Sequence, residues 1–220
     1  MGYTLNFAPI WRSFDLLLSG LGLGLILAVA SILIGCVLGL IAAFGRLSAN
    51  RLLRGLATGY VTAIRNTPIL VLILFSYFAL PQLGIRLGKI EAFILTLSIY
   101  AGAYLTEVFR AGLVALPRGL REAGLAIGLT EGQVRRYLVI PVMLRNILPS
   151  LGNNFISLFK DTSLAAAIAV PELTFYARKI NTESFRVIET WMVTSLMYVA
   201  ACSLIAFGLR HLERRLAIPR

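Results

Sequence analysis

An uncharged run from Leu16 to Gly45 restricts what this chain can become more than any other feature. At 1.5 Å per residue, about 20 apolar helical residues cross the roughly 30 Å hydrocarbon core of a bilayer. A run this long has no place in a small soluble core. Four further stretches follow it. Leu56 to Leu80 is interrupted by Arg65, and Ala92 to about Leu116 carries Glu107 and Arg110. Asn146 to Pro171 holds Lys160-Asp161 near its centre, and Thr190 to Leu209 is clean. Five transmembrane helices in one membrane domain over residues 1–220 are therefore expected. The composition agrees, with 58% hydrophobic and 14% charged residues and a mean hydropathy of +0.83, outside the range of soluble globular chains.

Cations orient these spans, because short cytoplasmic loops retain Lys and Arg. With the C-terminus inside, the inner face collects Arg46, Arg51, Arg54, Arg110, Arg118, Arg121, Arg135, Arg136, Arg145, Arg210, Arg214, Arg215 and Arg220. The outer face keeps only Arg12, Arg86, Lys89, Arg178, Lys179 and Arg186. The expectation is a multi-pass protein of a bacterial inner membrane, N-terminus outside and C-terminus cytoplasmic. The net charge of +11 is accounted for by topology and membrane lipid, without nucleic acid. Met1 to Arg12 lacks the basic start of a cleavable signal. Cys36 and Cys202 lie inside apolar spans and suggest neither disulfide nor metal. No internal repeat of the kind found in many secondary carriers is evident.

Between the third and fourth spans the pattern changes. From Pro117 to Pro141 the chain is basic and punctuated by glycine. Gly119 and Arg121-Glu122 suit a helix start, Gly128 breaks the run, and Thr130-Glu131 reads as a second N-cap before Pro141 stops the helix. Two short helices along the inner surface are expected. Physics alone leaves open whether such a loop meets a protein partner or lies solvated on lipid.

Here the sequence resembles a known family. Glu122-Ala123-Gly124, then Gly128, then Leu138-Val139-Ile140-Pro141 is similar to the EAA loop of type I ABC importer permeases, with Gly124 where a second Ala is usual. Tyr104-Leu105-Thr106-Glu107-Val108-Phe109-Arg110-Ala111-Gly112, Arg65-Asn66-Thr67-Pro68 and Lys160-Asp161-Thr162-Ser163-Leu164 resemble signatures of the polar-amino-acid permeases. The resemblance implies five helices of the permease fold with short cytoplasmic coupling helices between helices 3 and 4. It implies a second permease subunit, identical or paralogous, two ABC ATPase subunits that bind ATP and Mg, and an extracytoplasmic solute-binding protein. Glu122 and Ala123 would sit at the ATPase contact with Gly128 at the turn, and Arg135 is added as a further contact. This chain would be no enzyme. Its nearest approach to a phosphate loop, Gly84 to Ile90, lacks the full pattern.

Ionisable groups inside spans mark function. Arg65, and the Lys160-Asp161 pair, lie at similar depth on the second and fourth spans. Asn154, Ser157 and Asp161 share a helical stripe. Pro68 disfavours helical geometry at Thr67, and irregular backbone at that depth is tolerated where it lines a cavity. A polar site bordered by Arg65, Asn66, Thr67, Asn154, Ser157, Asp161 and Thr162 is expected. Asp161 would receive an α-ammonium and Arg65 a carboxylate. The excess of positive charge favours a neutral or acidic amino acid. An alternative pairs Arg65 with Asp161 as a tie between helices, and Glu107 with Arg110 reads as a local ion pair. Rival functions are an ion-coupled secondary amino acid carrier, a membrane scaffold, and an ABC permease for an amino acid derivative such as an opine.

Overall fold

A computed structural model describes residues 3–216 of the chain, and among these every regular element is a helix. Two helices form the centre: α2 (Phe14–Leu47) and α5 (Lys89–Val114). Their seam is closed by small residues. A Cβ on Gly35 would stand 2.7 Å from the Ala101 Cβ, and one on Gly39 2.9 Å from the Leu105 Cβ. The backbones therefore meet closely, as small residues spaced four apart on a helix allow. Before α2, a single turn, α1 (Ala8–Arg12), leads into the membrane. Glu189 ties the N-terminal segment down by accepting from the Tyr3 hydroxyl and, at 2.7 Å, from the Asn6 N–H.

The second expected span is not one helix. It is α3 (Arg51–Arg65) followed by α4 (Ile69–Leu74), which continues through a π turn at Phe75–Ala79 and a 3₁₀ turn to Leu83. The two halves meet at 101°. Pro68 explains the break: it supplies no N–H, and its ring drives Thr67 out of helical geometry. Arg65 therefore ends a helix instead of lying mid-span. α3 is amphipathic, with Leu52, Leu53 and Leu56 exposed and Val61 buried.

After α5 come α6 (Arg118–Ala126) and α7 (Glu131–Val134), the two short helices of the expected loop. Pro141 does not stop the second. A π turn over Arg135–Val139 carries the chain into α8 (Ile140–Asp161), with the proline in the first turn. The π turn just before the proline widens the backbone ladder and so accommodates its ring and its missing N–H. α8 ends in a 3₁₀ stretch, Thr162–Ile168. The connection that follows contains α9 (Leu173–Ser184). Glu172 caps it, its carboxylate accepting the Thr174 and Phe175 N–H groups at 2.8 Å each. The last element is α10 (Val187–Leu216).

Among the described residues three helices, α2, α5 and α10, are long and apolar enough to cross a membrane, and the bent α3–α4 pair makes four if counted as one. The 22-residue α8 is long enough but carries Arg145, Lys160 and Asp161. Buried side chains of α2, α5, α8 and the 3₁₀ stretch form the core around Leu27, Phe93, Leu97, Leu158 and Ala165. Leu33, Val37 and Ile41 on α2, and Leu196, Leu204 and Phe207 on α10, project outward. Such ridges suit lipid, where α-helices keep every backbone bond internal.

Candidate functional site

The bend at Asn66–Pro68 organises the polar interior. The Thr67 hydroxyl donates to the Ala63 carbonyl at 2.8 Å, taking up an acceptor left at the end of α3. The Tyr60 hydroxyl donates to the Ile99 carbonyl at 2.6 Å and anchors α3 to α5. Arg65 then falls at the C-terminus of α3, where the helix dipole favours a cation. Its guanidinium lies over the Tyr104 ring, 5.0 Å from the centroid.

Arg65 opens into a cavity of about 470 Å³ lined by Arg46, Val61, Thr62, Arg65, Asn66, Tyr104 and Glu107. Glu107 is the carboxylate of this lining. It accepts from Arg110 through Nε at 3.0 Å and pairs with Nη2 at 2.9 Å, and it also pairs with Arg46 of α2. The expected Glu107–Arg110 pair is present, and Arg46 extends it across helices. Two guanidinium groups thus share one carboxylate, and among the described residues Arg65 has no ion-pair partner.

Asp161, the last residue of α8, does not line this cavity. Tyr100 stacks against Tyr104 with ring centroids 4.7 Å apart. Tyr100 is within electrostatic reach of both Arg65 and Asp161. No ion pair joins Arg65 to Asp161, so the helix-tie alternative does not describe this conformation. The rest of the expected stripe turns elsewhere. Asn154 Nδ2 donates to the Ser150 carbonyl at 2.8 Å, and Ser157 is exposed. Thr162 is buried, donating to the Phe159 carbonyl at 2.7 Å and lying against Gly24 of α2. None of the three lines the cavity. Two tyrosines and Arg46 were not singled out by sequence reasoning. Aromatic residues in a span read as core, and the approach of Arg46 to Glu107 depends on how α2 packs on α5.

The coupling loop is sharply built. Gly128 takes φ +86, a left-handed conformation that glycine adopts without strain. Thr130 and Gln133 form a reciprocal capping box at the start of α7. Glu122 and Ala123 on α6, and Arg135 beyond α7, are exposed. Gly124, at the place where an alanine is usual, is buried, and a Cβ there would come within 2.7 Å of Leu138 Cδ1 and 2.9 Å of Val134 Cγ2.

Residues 35–218 match the family described as binding-protein-dependent transport system inner membrane component. The chain is 37% identical over 215 residues to the glutamine transport system permease protein GlnP of Escherichia coli (strain K12), covering 97% of this chain and 98% of that protein. It is 33% identical over 218 residues to the L-cystine transport system permease protein TcyB of Bacillus subtilis (strain 168), covering 98% and 93%. A solved structure of an amino acid ABC transporter with histidines superposes at a TM-score of 0.88 with 32% identity, covering 97% of this chain and all of that one.

Proposed function

This chain belongs to the family of binding-protein-dependent transport system inner membrane components, and from that membership we propose how its residues divide the work of an amino acid importer. It is the membrane-spanning permease subunit of an ABC importer for amino acids. It works with a separate ATPase that hydrolyses ATP and with a solute-binding protein, in an inner membrane. We further propose two permease subunits and two ATPases per complex, ATP and Mg bound on the ATPases, and the N-terminus outside.

The solute passes the face that carries Arg65, Tyr104, Tyr100 and Asp161. Arg65 receives the α-carboxylate and Asp161 the α-ammonium. What supports this reading is the Arg65 guanidinium over Tyr104, without an ion-pair partner among the described residues and facing a cavity whose other cation, Arg46, pairs with Glu107. A net positive lining favours a neutral or acidic side chain over a basic one. Glutamine is the first solute to test, given the resemblance to GlnP. Asn66 and Thr67 shape the bend, while Glu122, Ala123, Gly128 and Arg135 form the loop that meets the ATPase. Closure of the ATPases draws the two loops together, and the spans rock between outward- and inward-facing states.

The test is ATP-driven uptake in proteoliposomes holding the whole complex and its binding protein, with all twenty amino acids as competitors. Glutamine, asparagine or an acidic amino acid should compete best. Arg65→Ala should raise KM about tenfold or more, the weight of a charged hydrogen bond. Uptake preferring arginine or lysine would overturn the charge argument. Uptake that survives ATP depletion and collapses with an ion gradient would favour a secondary carrier.

A further inference from the structure

We propose that the Arg121–Glu131 ion pair clamps the two loop helices into one lever and so sets how much ATPase motion reaches the spans. The proposal rests on the reading of this loop as the ATPase contact. The pair is bidentate. Arg121 donates through Nε at 3.2 Å to one carboxylate oxygen of Glu131 and through Nη2 to the other. It bridges α6 and α7 across the Gly128 turn. One turn further along the same facing sides, Gly124 packs against Val134 and Leu138, and the Leu129 N–H donates to the Gly124 carbonyl at 3.1 Å. The two helices are thus held together at two successive levels.

What lies beneath makes the clamp matter. A cavity of about 520 Å³, lined by Phe44, Leu113, Leu116, Leu120 and Val134 among others, separates the loop from the inner ends of α2 and α5. Arg121 and Glu131 stand at its edge. A loop seated on a filled core would be stiffened by packing, since close-packed interiors transmit strain. This one has space below it, so a push on α6 alone could be absorbed by α6 sinking into the cavity. Joined through Arg121 and Glu131, α6 and α7 move together, and α7 runs into α8 through the π turn at Arg135–Val139. Arg121 and Glu131 act here as positioning residues.

Both side chains are about half exposed, at 59% and 46%. Exposed pairs add little to stability, so single charge reversals should leave the chain folded and the ATPase bound. The readout is the amount of solute accumulated per ATP hydrolysed. It is measured in proteoliposomes with the complete complex and the amino acid that the wild type takes up fastest. Arg121→Glu and Glu131→Arg should each lower this ratio about fivefold or more, the lower range of measured coupling energies, while ATP hydrolysis continues. The double exchange Arg121→Glu/Glu131→Arg should return it to within about twofold of wild type.

A second measurement joins Arg121→Cys to Glu131→Cys, with Cys36→Ala and Cys202→Ala, through a short reducible bis-methanethiosulfonate crosslinker, since two side chains that meet at their ends leave too wide a gap for a direct disulfide. The ratio should be low in the double cysteine variant, recover on crosslinking and fall again on reduction. An unchanged ratio in the single variants overturns the proposal. So does failure of both the exchange and the crosslink to restore it, because the residues would then act through separate contacts. Loss of the ATPase from the single variants also overturns it, in favour of a docking role. Wild-type hydrolysis and accumulation test the reading of the loop separately, so an effect confined to the variants bears on the clamp alone.

Discussion

Asp161 stands where α8 passes into the 3₁₀ stretch, and among the described residues no cation pairs with it. Its charge holds no ion pair, and the role proposed for it is to meet a solute ammonium. Asp161→Asn should then insert and assemble like the wild type yet lose uptake at least about tenfold, because a charge-assisted contact is worth roughly 1.5–3 kcal/mol. Normal uptake in that variant would remove Asp161 from the proposed site. Arg65 and Asp161 were legible in the sequence as charges within apolar runs, which are costly and conspicuous, but of the two only Arg65 lines the cavity. Tyr104 and Arg46, which line it too, were not legible. One resembles core packing, and the other reaches Glu107 only after α2 and α5 have docked. Thr162 misleads for a related reason: beside Asp161 in sequence, it turns one helical step away into the α2 seam.

Glu172 shows how a single residue governs an element. It is fully buried, caps α9 and accepts from the Tyr198 hydroxyl at 3.1 Å. Burial raises its carboxyl from 4.5 to about 7, against its hydrogen bonds, which pull the other way. The folded chain then holds this proton over a range where the unfolded chain has lost it. The contribution to stability is complete below about pH 4.5 and is lost as pH rises to about 7, roughly 3 kcal/mol over that window. Thermal unfolding in detergent should show this decline, and Glu172→Gln should flatten it. The α2–α5 seam gives a second test at this scale. Gly35→Leu places atoms where Ala101 already stands and should cost about 1–3 kcal/mol. Gly22→Leu, with open space around it, should cost little. Equal melting temperatures for the two variants would deny the seam its role. α2 and α10 were readable from their uncharged runs, whereas Gly35 and Gly39 become a seam only where α5 lies against them. The α3–α4 bend was only half readable. Pro68 marks the break, but the 101° angle depends on where α4 packs.

At the scale of the whole molecule, the distribution of arginines implies an orientation that cysteine labelling can check. Phe185, between α9 and α10, is 81% exposed, and Ile127, beside the loop turn, is 76% exposed. In a chain with Cys36 and Cys202 replaced, Phe185→Cys should react with an impermeant maleimide in cells with a permeable outer barrier. Ile127→Cys should react only once the inner membrane is opened. The reverse pattern would invert the topology and move the loop away from any cytoplasmic ATPase. The family and its fold were legible over nearly the whole length because the loop spacing and the three flanking signatures constrain one another. Which helices cross was less so, since α8 carries Arg145, Lys160 and Asp161 among its apolar residues.

The uncharged run of α2 also matters to the bilayer. Leu16 to Gly45 spans 30 residues, about 45 Å of helix, against a hydrocarbon core of roughly 30 Å. The uncharged run of α10, Thr190 to Leu209, spans 20 residues, about 30 Å, and matches that core. An apolar helix that is too long is accommodated by tilt or by locally thickened lipid. α2 is fastened along α5 at Gly35 and Gly39, so a tilt of one carries the other. Transport should then depend on acyl-chain length, faster in thick bilayers than in thin ones, with equal rates in both counting against the idea. The excess length of α2 makes bilayer thickness a load on the central helix pair.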